Sequence, residues 1–190
     1  MVADASDRLE DLAAIEAAVW RQLAAAVNDK SHAWRIGVLA TRAGEGADAR
    51  SIVLREWAGP TRTLSFFVDS RSAKAAQIEA CPEGVIVLWS PALSWQLRLN
   101  VTLQVASSGL AVSSRWARLK MSPAAQDYLS PLPPGSTLAA PEPAARPERS
   151  SREHFAVVSA AVRRVDWLEL HARGHRRAIW DEQGSRWVVP

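Results

Sequence analysis

An antiparallel β-barrel with flanking helices, mainly β, is the fold class that this 190-residue sequence predicts. Three observations predict it. Six or more short apolar runs with strand-like alternation recur from residue 33 onward. Most follow one another across short turns, as hairpins do, and not across the long crossovers that parallel strands need. Helical periodicity is limited to a few segments, which would lie at the ends or sides of a barrel.

The elements follow in chain order. Leu9, Leu12, Ile15, Val19, Leu23 and Val27 recur at three- and four-residue steps, which predicts an amphipathic packing helix over 6–28, capped by Ser6 or Asp4. Ala33 to Thr41 is a strand ended by Ala43-Gly-Glu-Gly46, and Ala49 to Trp57 is a second, closed by the turn Ala58-Gly-Pro60. Thr63 to Val68 is a third. Residues 72–80 form a short helix, with Ser70 or Ser72 at its N-cap and Cys81-Pro82 at its close. Val85 to Trp89 is a compact buried strand. The strand Ser94 to Val105 alternates cleanly. Trp95, Leu97, Leu99 and Val101 face one way, and Gln96, Arg98, Asn100 and Thr102 the other. The first face is core, and the second must meet solvent, a ligand or a second subunit.

A helix over 110–128 is broken near Ser122-Pro123. Six of the eleven prolines lie between Pro131 and Pro147, so about 131–152 is expected to be an extended loop. A long strand from His154 to His171, a strand around Arg177 to Trp180 and a last strand from Ser185 to Val189 complete one domain over 1–190.

Composition narrows the function classes. With 23 basic and 20 acidic residues the net charge is +3, and no Lys/Arg run of the kind found in nucleic-acid tails occurs. Only Lys30, Lys74 and Lys120 are lysines. Arginine's fork suits phosphate and carboxylate, although a GC-rich genome gives the same bias. No apolar run reaches 18 residues, and the N-terminus lacks a signal-peptide pattern, so a cytoplasmic protein without a transmembrane helix is expected. The single cysteine, Cys81, excludes an intramolecular disulfide.

Four clusters could carry chemistry. Arg50 and Arg55 flank Ser51-Ile52-Val53-Leu54. Five residues apart, they point to opposite faces of a strand, and two solvated arginines account for the pair taken alone. Ser70-Arg-Ser-Ala-Lys74 opens a helix, whose free N–H groups and positive dipole end suit phosphate; an ordinary cap with a surface lysine is an equal reading. Gln96 offers a donor and an acceptor to the edge of a heterocycle, or is simply an exposed polar position. His171 and His175 lie among Arg173, Arg176 and Arg177. Without a third ligand, and with cationic neighbours, they point to an anion site and not to a metal. No G-x-S-x-G, G-x-G-x-x-G or Walker A pattern is present.

Together the clusters resemble the pyridoxamine 5′-phosphate oxidase family, the FMN-binding split barrels, over roughly 33–105 and 154–190. The family's R-x-V-L-L-K strand is similar to Arg50-Ser-Ile-Val-Leu-Arg55, and its F-Y-T-N-x-x-S-R-K segment to Phe66-Phe67-Val68-Asp69-Ser-Arg-Ser72-Ala73-Lys74. R-Q-V-R-V resembles Trp95-Gln96-Leu97-Arg98-Leu99. E-F-W and R-L-H-D-R resemble Val165-Asp166-Trp167 and Arg173-Gly-His175-Arg-Arg177.

The resemblance implies a homodimeric, antiparallel split β-barrel with FMN at the subunit interface. It implies FMN contacts from the strand Arg50, Ser51, Ile52, Val53, Leu54 and Arg55, from Phe67, Val68 and Ser72, from Lys74 at the phosphate, from Gln96 at the ring, and from Trp167 and Arg177. Arg173 and His175 match the family's substrate-side Arg and His and would orient an anionic, B6-like substrate. The chain departs from the motifs at Ala73, where the family has a phosphate-binding arginine, at Phe67-Val68, which replace Tyr-Thr, and at Arg55, which replaces a lysine. Later substrate positions fall near Trp116, Lys120 and Ala124. An FMN-dependent oxidoreductase with an altered substrate is the expectation. A non-catalytic FMN or cofactor binder and an arginine-rich nucleic-acid-binding barrel are the alternatives.

Overall fold

The computed structural model describes residues 8–138, 140 and 152–190. The first helix, α1, spans Leu12–Ala26 and buries Ile15, Ala18, Val19, Leu23 and Ala26. Its cap is Asp11, whose Oδ1 accepts the Ala14 N–H at 2.7 Å. Ser6 and Asp4, the expected caps, lie outside the described residues.

Among the described residues, nine antiparallel strands form one sheet. They are β1 (Ile36–Ala43), β2 (Gly46–Val53), β3 (Glu56–Ala58), β4 (Thr63–Asp69), β5 (Glu83–Ser90), β6 (Trp95–Ala106), β7 (Phe155–Glu169), β8 (Arg176–Asp181) and β9 (Gly184–Val188). The order is β2-β1-β5-β6-β7-β4-β3, with β8 on β7 and β9 on β8. Two helices, α2 (Ala73–Ala80) and α3 (Leu110–Leu119), lie between strands.

The fifteen-residue β7 explains the split architecture. One edge pairs with β6 along most of its length. The other edge is shared: Phe155–Ala161 pairs with β4, and Val165–Glu169 with β8. A bulge at Arg163, where the register slips between Asn100 and Val101, bends the strand between its two partners.

Alternation is obeyed where it was clearest. Trp95, Leu97, Leu99 and Val101 of β6 are buried, while Arg98 and Asn100 are exposed. The core joins this face to Leu39, Ile52, Leu64, Phe66, Val158 and Trp167, and α1 packs onto it. A smaller cluster around Trp116, Tyr128 and Phe155 fixes α3 and the 3-10 turn Pro123–Tyr128, which follows the expected break.

Three expectations shift. Ala33–Arg35 is a 3-10 turn before β1, because His32 caps it through Nδ1 to the Trp34 N–H. The expected second strand is interrupted after Leu54, whose N–H bonds Arg35 O one step past the Ile36–Val53 pair, because the Arg55 N–H turns instead to Ser65 O on β4. Of the proline-rich segment, 131–138 is exposed turn and coil, while 141–151 lies outside the described residues.

Candidate functional site

The first cluster forms where β1, β2 and α2 meet. Arg50 is opposite Leu39 in the register, so its side chain leaves β2 on the inner side and reaches toward α2. Its guanidinium donates to Thr41 Oγ1, to Asp48 and to Gln77 Oε1, the last at 2.7 Å. Gln77 ties the group together, accepting from Thr41 at 2.7 Å and donating to Asp48 at 3.1 Å.

Lys74 lies on the first turn of α2, half-buried. Burial, reinforced by the charge of Arg50, lowers its pKa, and Asp69 offsets this only in part. Ser72 occupies the N-cap position but does not cap, because its hydroxyl donates to Asp69 O at 2.7 Å. The helix start is therefore left open beside two cations that destabilise each other, an arrangement that favours an anion. Arg71 does not join them. It is held by Asp69 and by the carbonyls of Ser130 and Pro131.

The second group surrounds the interruption after β2. Because the strand breaks, parity no longer separates Arg50 from Arg55, and Arg55 lies over the Phe67 ring at 5.8 Å. Arg55, Phe67, Glu56, Arg115, Arg118, Leu119 and Ser122 line a cavity of about 250 Å³. Glu56 accepts from Arg115 at 2.6 Å and from Arg118 at 3.2 Å. Sequence reasoning missed these two arginines. Their signal was an i, i+3 spacing that places both on one face of α3. Trp116, Lys120 and Ala124 do not line this cavity; Trp116 points inward against Phe155. Ile52, Leu54 and Val68 are buried, so a ligand meets only their main chain, whereas Ser51 and Val53 remain accessible.

The third group lies on the outer face of β6, β7 and β8. Gln96 is half-buried there, opposite Leu168, which is in turn opposite Arg177. Buried Asp166 takes a two-pronged ion pair from Arg177, at 2.9 and 2.7 Å, and a further contact from Arg98 at 3.1 Å. Burial alone would raise the Asp166 pKa, but the Arg177 hydrogen bonds and the charges of Arg98 and Arg177 outweigh it, and the pKa is lowered. Trp167, one residue on, points the opposite way, into the core, where its ring meets Trp95 edge-on at 5.3 Å.

The turn after β7 does not gather its cations. Arg176 goes to Glu169 and Arg177 to Asp166, on opposite sides of β8. Arg173 and His175 stay exposed. His175 Nδ1 accepts the His171 N–H, and His171 Nδ1 the Arg173 N–H, both at 3.1 Å, so the imidazoles brace the turn. Among the described residues no three His, Cys, Asp or Glu side chains converge on a metal position. Nor is any helix there long and apolar enough to cross a membrane.

Fold and clusters define an antiparallel split barrel with two basic side chains near one helix start and a polar patch on its outer face. Residues 17–107 match the family model for the FMN-binding domain of pyridoxamine 5′-phosphate oxidase. That stretch contains Arg50, Lys74 and Gln96. Among solved structures, the chain is similar to a pyridoxamine 5′-phosphate oxidase-related, FMN-binding protein from Nostoc punctiforme, with a TM-score of 0.71 and 25% identity over 95% of this chain and 100% of that one. PhzG from Burkholderia lata, in complex with tetrahydrophenazine-1-carboxylic acid, gives a TM-score of 0.72 at 15% identity over 98% and 100%. Campylobacter jejuni ChuZ gives 0.60 at 10% over 95% and 64%. The latter two share the fold alone. No curated protein matches the chain. Residues 17–107 thus carry the likeness to the pyridoxamine 5′-phosphate oxidase FMN-binding domain, and the whole chain shares the split-barrel fold of structures related to it.

Proposed function

We propose that this protein binds FMN as a homodimer and acts as a cytoplasmic oxidoreductase on a small anionic substrate. The observation that carries the reading is that Arg50 bonds Gln77 on α2 at 2.7 Å, on the face that also carries Lys74 three residues earlier at the open helix start, inside the segment that matches the FMN-binding family model.

The residues present fit the cofactor. Lys74 and the α2 N–H groups would hold the phosphate, with Arg50 beside them. The main chain of Ser51 to Arg55 would follow the ribityl chain and ring edge, and Gln96 would meet the polar edge of the ring. Bound there, FMN would supply the redox chemistry, which needs no acid-base pair from the protein. Arg55, Arg115 and Arg118 would place an anionic group of the substrate beside Phe67, and Arg173 and His175 would approach from the second subunit. A lysine-to-arginine change at position 55 and a cavity wall built from α3 arginines favour a substrate other than pyridoxine phosphate.

Nucleic acid fits the surface poorly. Arg50, Arg62, Arg71, Arg98, Arg115, Arg118, Arg176, Arg177 and Arg186 each face a carboxylate, and no Lys/Arg run concentrates the remaining positive charge.

The test is the visible spectrum of the purified protein before and after FMN addition. A flavin band that shifts on binding, and bleaches anaerobically with a candidate amine or NAD(P)H, is the expected result. Protein that stays colourless and takes up no FMN sinks the reading. Bound flavin that no donor reduces leaves a binder and removes the enzyme.

A further inference from the structure

The Arg50 guanidinium is already occupied. It has five N–H donors. The Nη1 group faces Thr41 Oγ1, with Leu39 O at 3.5 Å, and Nη2 faces both Asp48 and Gln77. A phosphate held by the guanidinium fork needs two parallel N–H groups, and both terminal nitrogens are engaged. Something must leave before Arg50 can grip an anion.

The three partners differ in how easily they leave. Thr41 is buried, at 3% exposure, and sits in the middle of the β1 ladder. Gln77 is anchored on α2 and bonds Thr41 as well as Arg50. Asp48 alone is charged and half-exposed, with 48% of its side chain open to solvent. It stands two residues past the β1–β2 turn, opposite Thr41 in the register. Its carboxylate can swing to water while Thr41 and Gln77 keep the guanidinium aimed.

From this geometry we infer that Asp48 is an exchangeable internal counter-ion of the anion cradle. It holds Arg50 until an incoming phosphate monoester displaces it, and so sets the affinity for phosphate-bearing ligands. The inference rests on the reading of Arg50 and Lys74 as that cradle. Charge favours the exchange. Asp48 offsets Arg50, and Asp69 offsets Lys74 only in part, whereas a phosphate monoester carries about −1.5 to −2 near pH 7 and faces both cations. The same carboxylate repels any ligand phosphate that approaches while it remains in place.

The experiment titrates FMN and riboflavin, which lacks the phosphate, into the full-length wild type, Asp48→Asn and Asp48→Ala, following flavin fluorescence. Both variants are expected to bind FMN about tenfold more tightly, on the scale of one charge-assisted hydrogen bond, with riboflavin unchanged. Thermal unfolding checks that each variant is folded, and the two different side chains guard against a defect peculiar to one. FMN affinity that is equal or weaker in both folded variants overturns the inference and makes Asp48 a residue that positions Arg50. An equal gain for riboflavin overturns it too, because the effect would not act on the phosphate. If wild type and variants all fail to take up FMN, the cofactor reading falls together with the inference, a result distinct from binding that Asp48 does not influence.

Discussion

At Lys74, burial and the neighbouring Arg50 both disfavour the ammonium, so the folded chain holds its proton less tightly than the unfolded chain does. The sign follows from linkage. A depressed lysine pKa is a stability penalty, present at neutral pH and relieved only as pH rises through the folded value toward 10.5. Lys74→Met should therefore melt at the same temperature as the wild type, or higher, without ligand. Its FMN affinity should fall roughly 10- to 100-fold, the scale of a charge-assisted hydrogen bond. Thermal unfolding and a flavin titration on one preparation measure both, and unchanged FMN affinity removes Lys74 from the site. Lys74 and Arg50 were singled out in the sequence by the family resemblance, since their local spacing alone fits a solvated arginine and an ordinary helix start equally. Thr41, Asp48 and Gln77 were not. Their roles depend on strand register and on how α2 packs, and neither is encoded in local spacing.

Asp166 works at the scale of elements, because it sits on β7 and reaches Arg98 on β6 and Arg177 on β8. It stands where the motif that Val165-Asp166-Trp167 resembles has phenylalanine. Removing the carboxylate strands two partly solvated arginines, for which about 1–3 kcal/mol is expected, or roughly 2–4 °C of melting temperature per kcal/mol in a chain of this size. The folded pKa is depressed, so the stabilisation is complete above the unfolded value of about 3.8 and is lost as pH falls through the folded one. The melting-temperature gap between wild type and Asp166→Ala should be full at pH 7 and shrink toward pH 3. A gap that is constant with pH would assign the loss to packing. At this scale the sequence was read well where periodicity is strong, as in α1, β6 and β7. It was read less well where a backbone hydrogen bond redirects the chain. Nothing in Leu54-Arg55 announces that the Arg55 N–H will turn to Ser65 on β4, yet Arg55 there lines the cavity beside Phe67.

For the whole molecule, a single chain divides the proposed site. Arg50 on β2 and Arg177 on β8 are five strand steps apart in the order β2-β1-β5-β6-β7-β8, roughly 24 Å along the sheet at about 4.8 Å per strand. Arg50 leaves the inner side of the sheet and Arg177 its outer face, so a single barrel does not turn both toward one ligand. Between them lies an outer face that is unusually apolar for a solvated sheet: Ile36 is 57% exposed, Val38 42% and Trp89 43%, all on strands interior to the sheet order. Trp89 is directly opposite Gln96, so the apolar surface runs up to the residue proposed to meet the flavin. A second copy related by a two-fold axis would cover this face and carry its own Gln96 and Arg177 toward the first copy's Arg50 and Lys74. The alternation of β6 left solvent, a ligand and a second subunit open for its polar side, because a partner's surface leaves no periodic trace; the homodimer was an expectation from the resemblance alone. Light scattering should give twice the 20.7 kDa chain mass. Val38→Glu and Trp89→Glu place a charge at the centre of that contact, which costs several kcal/mol if it stays buried and unpaired. Each variant should therefore run as a folded monomer, with unchanged circular dichroism, and release its flavin. A monomeric variant that still binds one FMN per chain with wild-type affinity would show that the site is complete in a single barrel, and that the apolar face serves another purpose.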